Sequence, residues 1–151
     1  MTIAHHDFTI TRTYAYPPQT VYEMFSDPAK KALWFGNVRD IKSDHQAWDF
    51  REGGRERASS EHANGITTTF DATYADIVPN ERIVYTYTMT LNGAPLSGSA
   101  TAITFEPVEG GTLVTFTEHG IHLDGAEGGH KREEGTNLLL DQVGKVLDSA
   151  A

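Results

Sequence analysis

Phe8, Ile10, Arg12, Tyr14 and Tyr16 alternate with Thr9, Thr11, Thr13 and Ala15. This period of two predicts a half-buried first strand. Pro17-Pro18 stops the alternation, and Val21, Tyr22, Met24 and Phe25 then recur at helical spacing up to Ser26. Asp27 before Pro28 reads as the N-cap and first-turn proline of a second short helix over residues 27–35, which Gly36 ends. From residue 37 to 121 the turn signals come at hairpin spacing: Glu52-Gly53-Gly54, Asn64-Gly65, Pro79-Asn80, Asn92-Gly93 and Glu109-Gly110-Gly111. The stretches between them are rich in Thr, Val, Ile, Phe and Tyr, as antiparallel strands with one solvated face should be. The last segment places Leu139, Val143, Val146 and Ala150 in one helical stripe, widened by Leu140 and Leu147.

One long terminal helix after a run of hairpins is an α+β order. The sheet must curve strongly to cover that helix, and such curvature tends to leave a cavity between them. In the segment 82–91 the set Ile83, Tyr85, Tyr87, Met89 and Leu91 is far more apolar than Val84, Thr86, Thr88 and Thr90, so the first set is expected to face inward. Phe70, Ala72 and Tyr74 share a face on the preceding strand.

Composition narrows the classes of function. The 151 residues carry Lys+Arg 12 against Asp+Glu 21, a formal charge of −9. That balance argues against nucleic acid and against an anionic membrane surface. The absence of cysteine removes disulfides, thiolate nucleophiles and cysteine-based metal sites. The length fits a single domain over 1–151, which buries about 70% of its unfolded surface. Residues 1–16 lack the pattern of a signal peptide and no apolar run is long enough to span a bilayer, so the expected location is the cytoplasm, without membrane insertion. No nucleotide-binding glycine loop, serine elbow or EF-hand is present, and no cofactor is expected.

Tyr16-Pro17, Val21-Tyr22, Asp27-Pro28 and Trp34-Phe35 occur in that order, followed by the segments REGGRERAS, VPNERIVYTY, VTFTEHG and REEGTNLLLDQVGKVL. Their ordered conjunction from about residue 8 to 149 resembles the START-like (SRPBCC) superfamily, in its bacterial branch named after the activator of a heat-shock-protein ATPase. The resemblance implies a helix-grip fold: a curved seven-stranded antiparallel sheet wrapped around the C-terminal helix, with two short helices between the first two strands. It also implies a deep cavity that holds a small hydrophobic or amphipathic molecule. A minority of the superfamily are enzymes that catalyse cyclisation or dehydration, and the branch name adds a protein-interaction module as a further reading.

The expected ligand-binding residues are aromatic for the most part. Trp34 and Phe35 follow the second helix, Trp48 and Phe50 precede the Gly53-Gly54 turn, and Phe70, Tyr74, Tyr85, Tyr87 and Met89 lie on inward strand faces. Leu139 and Val143 face them from the terminal helix. Buried tyrosine hydroxyls require partners, and apolar walls with a few polar tips describe a small-molecule site. Glu118 and His119 are the candidate catalytic pair, although strand neighbours face apart and only one can point inward. The three histidines His119, His122 and His130 lack the spacing of a helical zinc motif, and no metal is expected. Arg55 is the candidate anchor for a ligand carboxylate, against the alternative of solvent-face ion pairing with its acidic neighbours. Gly135 is the candidate for making room beneath the terminal helix. The run 124–135, rich in glycine, is expected to be a loop that gates the cavity. The partner expected is a small hydrophobic molecule, with a homodimer left open.

Overall fold

A computed structural model describes residues 3–35 and 42–150; Gly36, the expected end of the second helix, lies outside them. The chain runs β1 (Ala4–Tyr14), α1 (Pro18–Ser26), α2 (Pro28–Lys31), β2 (Lys42–Trp48), β3 (Arg55–Glu61), β4 (Thr67–Val78), β5 (Arg82–Leu91), β6 (Ala94–Val108), β7 (Gly111–His122) and α3 (Ala126–Ala150). The seven strands form one antiparallel sheet in the order β1-β7-β6-β5-β4-β3-β2. Every sequential pair from β2 to β7 is a neighbour. β1 closes the far edge by pairing with β7, with Phe8 opposite Glu118 and Ile10 opposite Phe116. The fold is an α+β helix grip, with α3 laid across the inner face of the sheet against β1 and β7.

Local chemistry sets the boundaries. The Asp27 side chain accepts hydrogen bonds from the backbone N–H groups of Ala29 and Lys30, and Pro28 opens α2. Asn92-Gly93 makes the tight β5–β6 turn with both residues at positive φ, 50° and 83°. The Asn64-Gly65 pair behaves differently. There the His62 N–H donates to the Ile66 carbonyl, so the loop is longer and Gly65 alone takes a positive φ.

The inner face follows the period of two. Ile83 and Tyr87 on β5, Phe70, Ala72 and Tyr74 on β4, and Val114 and Phe116 on β7 are buried. On α3 the fully covered row is Thr136, Leu140, Val143 and Leu147, one row round from the expected stripe; Leu139 and Val146 lie at its half-buried edge and Ala150 is exposed. Tyr14 accounts for the rotation. Its hydroxyl donates to the Leu140 carbonyl at 2.6 Å, and its ring lies against Gly144, where an added Cβ would stand 3.3 Å from the ring.

The glycine-rich run is not a loop. α3 begins at Ala126, so residues 126–135 are its first turns, and the expected mobile gate is helix instead. Gly129 is there for close approach: a Cβ on it would fall 2.4 Å from the Cβ of His6 on β1. Packing of the helix end against β1 thereby outweighs a propensity penalty of about 1 kcal/mol per glycine.

Candidate functional site

Between the sheet and α3 lies a cavity of about 170 Å³. Its wall is apolar and aromatic: Trp34 and Phe35 after α2, Phe70 and Tyr74 on β4, Ile83, Tyr85, Tyr87 and Met89 on β5, and Leu139 and Leu140 on α3. A dry cavity of about 150 Å³ holds a benzene-sized molecule, whereas drug-sized pockets start at about 300 Å³. The inner space therefore suits one ring or a short branched chain. An open groove of about 510 Å³ continues from it beneath the first turns of α3, past Leu91, Leu96 and Leu138. Ser60, Met89, Arg132, Thr136 and Leu139 line both spaces and form the doorway between them.

Among the described residues, three charged side chains line the cavity: Lys31, Glu118 and Arg132. Lys31 is a buried lysine, 6% exposed, held in place by what surrounds it. Its Nζ donates to Glu56 at 2.8 Å and stands 4.6 Å from the centre of the Phe35 ring, 5.1 Å from Trp48 and 5.9 Å from Phe70. Glu56 is 1% exposed and also binds His45 Nε2 at 2.7 Å and the Tyr74 hydroxyl, which donates to it. Trp48 Nε1 donates in turn to the Tyr74 oxygen at 2.9 Å. Burial pushes the Glu56 carboxyl up, but Lys31, His45 and Tyr74 together outweigh it and hold the group at about 2. This end is a closed ion pair.

The second polar end is less fully balanced. Glu118, 1% exposed, accepts from the Tyr87 hydroxyl at 2.8 Å and from Thr101 at 3.0 Å. Arg132 donates through Nη1 to the Tyr87 oxygen and through Nη2 to Ser97, both at 2.8 Å, while its nearest approach to Glu118 is 3.7 Å. Tyr87 thus relays between guanidinium and carboxylate. Burial pushes Glu118 above the ordinary carboxylate range; Arg132, Tyr87 and Thr101 pull it back only in part. A carboxyl raised in the folded state contributes its stability below about 4.3, the unfolded value, and loses it as pH rises through the folded value. Glu118→Gln is accordingly expected to melt higher than wild type at pH 7, with the difference shrinking towards pH 4 in calorimetry. A lower melting temperature at pH 7 would mean that the carboxylate stabilises the fold.

A family model described as Activator of Hsp90 ATPase homolog 1-like protein matches residues 15–148. The chain belongs to this family. Among solved structures, an uncharacterised protein from Rhizobium leguminosarum is 34% identical over 98% of this chain and 97% of its own, with a TM-score of 0.88. The Mll3558 protein from Rhizobium loti is 35% identical over 97% of this chain and 99% of its own, with a TM-score of 0.85. The CV1439 protein from Chromobacterium violaceum is 26% identical over 94% and 96%, with a TM-score of 0.81. No curated protein matches the chain. Membership in the family thus fixes the helix-grip architecture without naming a ligand.

Eight of the eleven expected ligand-binding residues line the cavity of this family member: Trp34, Phe35, Phe70, Tyr74, Tyr85, Tyr87, Met89 and Leu139. Trp48, Phe50 and Val143 do not line it. Trp48 stacks on His45 behind Lys31, Phe50 packs edge-on against Tyr22 and Tyr74, and Val143 fills the core under α3. Glu118 and His119 separate as strand neighbours must: Glu118 faces the cavity, and His119 stands on the opposite, exposed face beside Asp7 at 3.1 Å. Arg55 also faces solvent, where it pairs with Asp71 at 2.8 Å, so it anchors nothing in the interior. His122 is buried and His130 is exposed against His6, and among the described residues His119, His122 and His130 do not converge. Gly135 borders the outer groove, with open space where a Cβ would stand. Among the described residues no helix is long and apolar enough to cross a membrane.

Lys31, Glu56 and Arg132 are functional candidates that the sequence did not disclose. For Glu118 a signal existed, since it continues the inward parity of Val114 and Phe116. Glu56 likewise shares parity with the buried Ala58. Nothing local marks Lys31, whose partner is 25 residues away.

Proposed function

We propose that the protein binds a small hydrophobic or amphipathic molecule in the cavity between the sheet and α3. The observation that carries this reading is the aromatic chamber of about 170 Å³, open towards the groove under α3, with ionisable groups facing into it. A protein whose interior served stability alone would fill that space, because each void forfeits contact energy. Burying Glu118 with its carboxyl pushed up points the same way, since the group is held against stability rather than for it. The family's wider relatives in the START-like superfamily, which use the equivalent space for apolar guests, support it by analogy. Native mass spectrometry of the protein purified from its own source, followed by organic extraction, tests the reading. A reproducible co-purifying small molecule is the expected result; protein that stays empty and takes up no apolar guest would overturn it.

A second reading, an enzyme of the cyclase or hydrolase kind, draws on the Arg132–Tyr87–Glu118 relay, which has the make-up of a general acid–base site. It predicts that Glu118→Gln retains ligand and abolishes turnover.

A further inference from the structure

We infer that the guest is a small monocarboxylate, seated with its carboxylate on Arg132 at the doorway and its apolar body in the aromatic chamber. This deepens the binding reading above and rests on it. Among the described residues two positive side chains line the cavity, and they are not equivalent. Lys31 donates directly to a buried carboxylate at 2.8 Å that His45 and Tyr74 also hold, so its charge is already neutralised. Arg132 spends its two hydrogen bonds on neutral hydroxyls, those of Tyr87 and Ser97, and stands 3.7 Å from the nearest carboxylate oxygen. A guanidinium has five N–H donors in a fixed fork. The remaining donors, on a side chain only 16% exposed, belong to a group that borders both the chamber and the outer groove.

Burial makes that arrangement selective. Among the described residues Glu118 is the counter-charge that pairs with Arg132, at 3.7 Å, and burial keeps its carboxyl above the usual range, so it offsets the guanidinium less completely than Glu56 offsets Lys31 at 2.8 Å. A planar acceptor with two oxygens matches the fork in a way a single carbonyl does not. A dianion is disfavoured, since one incompletely balanced cation faces it and Glu118 is adjacent. The body is limited by the space within: about 170 Å³ of chamber behind the doorway admits one ring or a short branched chain. The formal charge of −9 works against anions at long range, but Lys131 at the groove rim and Arg132 behind it provide local positive charge on the path inward.

Three small probes decide the matter by isothermal titration: phenylacetate, its neutral isostere phenylacetamide, and toluene. Wild-type protein is expected to bind phenylacetate about tenfold to a hundredfold more tightly than phenylacetamide, the worth of charge-assisted hydrogen bonds. Arg132→Gln keeps polar reach to Tyr87 and Ser97 and is expected to bind the two equally, with toluene unaffected; circular dichroism confirms that it folds. If wild type binds toluene and phenylacetamide but phenylacetate no better, the carboxylate proposal fails and the cavity reading stands. If none of the three binds, both fail. A preference that persists in Arg132→Gln overturns the assignment of the anchor to Arg132. Should that variant not fold, Arg132→Lys, which keeps the charge but not the fork, is expected to lose most of the preference, and an undiminished preference overturns the proposal.

Discussion

Lys31→Met is expected to destabilise the protein by about 3–5 kcal/mol, because it leaves the Glu56 carboxylate buried without its cation. The double variant Lys31→Met/Glu56→Gln should recover most of that loss, since the penalty belongs to the orphaned charge and not to the absent pair. Urea unfolding of the three proteins measures the difference. The pair also gives wild type an acid limit. Glu56 titrates at about 2 in the folded protein against about 4.3 in an unfolded chain. Its stabilisation, on the order of 3 kcal/mol, is complete above the unfolded value and is lost as pH falls through the folded one. A wild-type protein whose stability is flat between pH 5 and 2 would contradict this account of the Lys31 end.

Leu139→Trp is expected to close the chamber. Leu139 is half-buried on α3 and borders both the inner space and the outer groove, so an indole there lies across the doorway and enters the void. A guest would then have to expel a side chain whose burial is worth about 3 kcal/mol, which weakens binding about a hundredfold. Stability should change by less than about 2 kcal/mol, because the new bulk enters empty space and does not overpack a filled core. Titration with toluene, alongside thermal melting, checks both halves. Tyr87 would be the wrong residue for this purpose, as its hydroxyl joins Arg132 to Glu118.

Much of the cavity wall was legible because strands announce their faces. Tyr85, Tyr87 and Met89 alternate with threonines on β5, and Phe70, Ala72 and Tyr74 alternate with Thr69, Asp71 and Thr73 on β4, so parity alone directs them inward. The charged part of the site was not legible, for two reasons. Lys31 depends on Glu56, which arrives from β3, and a lysine on a four-residue helix has no local mark of burial. Arg132 sits in a run whose glycines read as a loop, and only the approach of His6 to Gly129 shows why the helix tolerates them. Arg55 misleads in the opposite sense. It has the chemistry of an anchor, but it shares parity with Arg57, and both meet Asp71 on the solvent face.

A nuclear magnetic resonance titration of the wild-type protein with toluene tests the binding of an apolar guest in the chamber between sheet and helix. Saturable shifts centred on the amides of Phe70, Tyr85, Met89 and Leu139 are the expected result. Toluene that causes no saturable change, or that shifts only residues on the outer, threonine-rich face of the sheet, would contradict it.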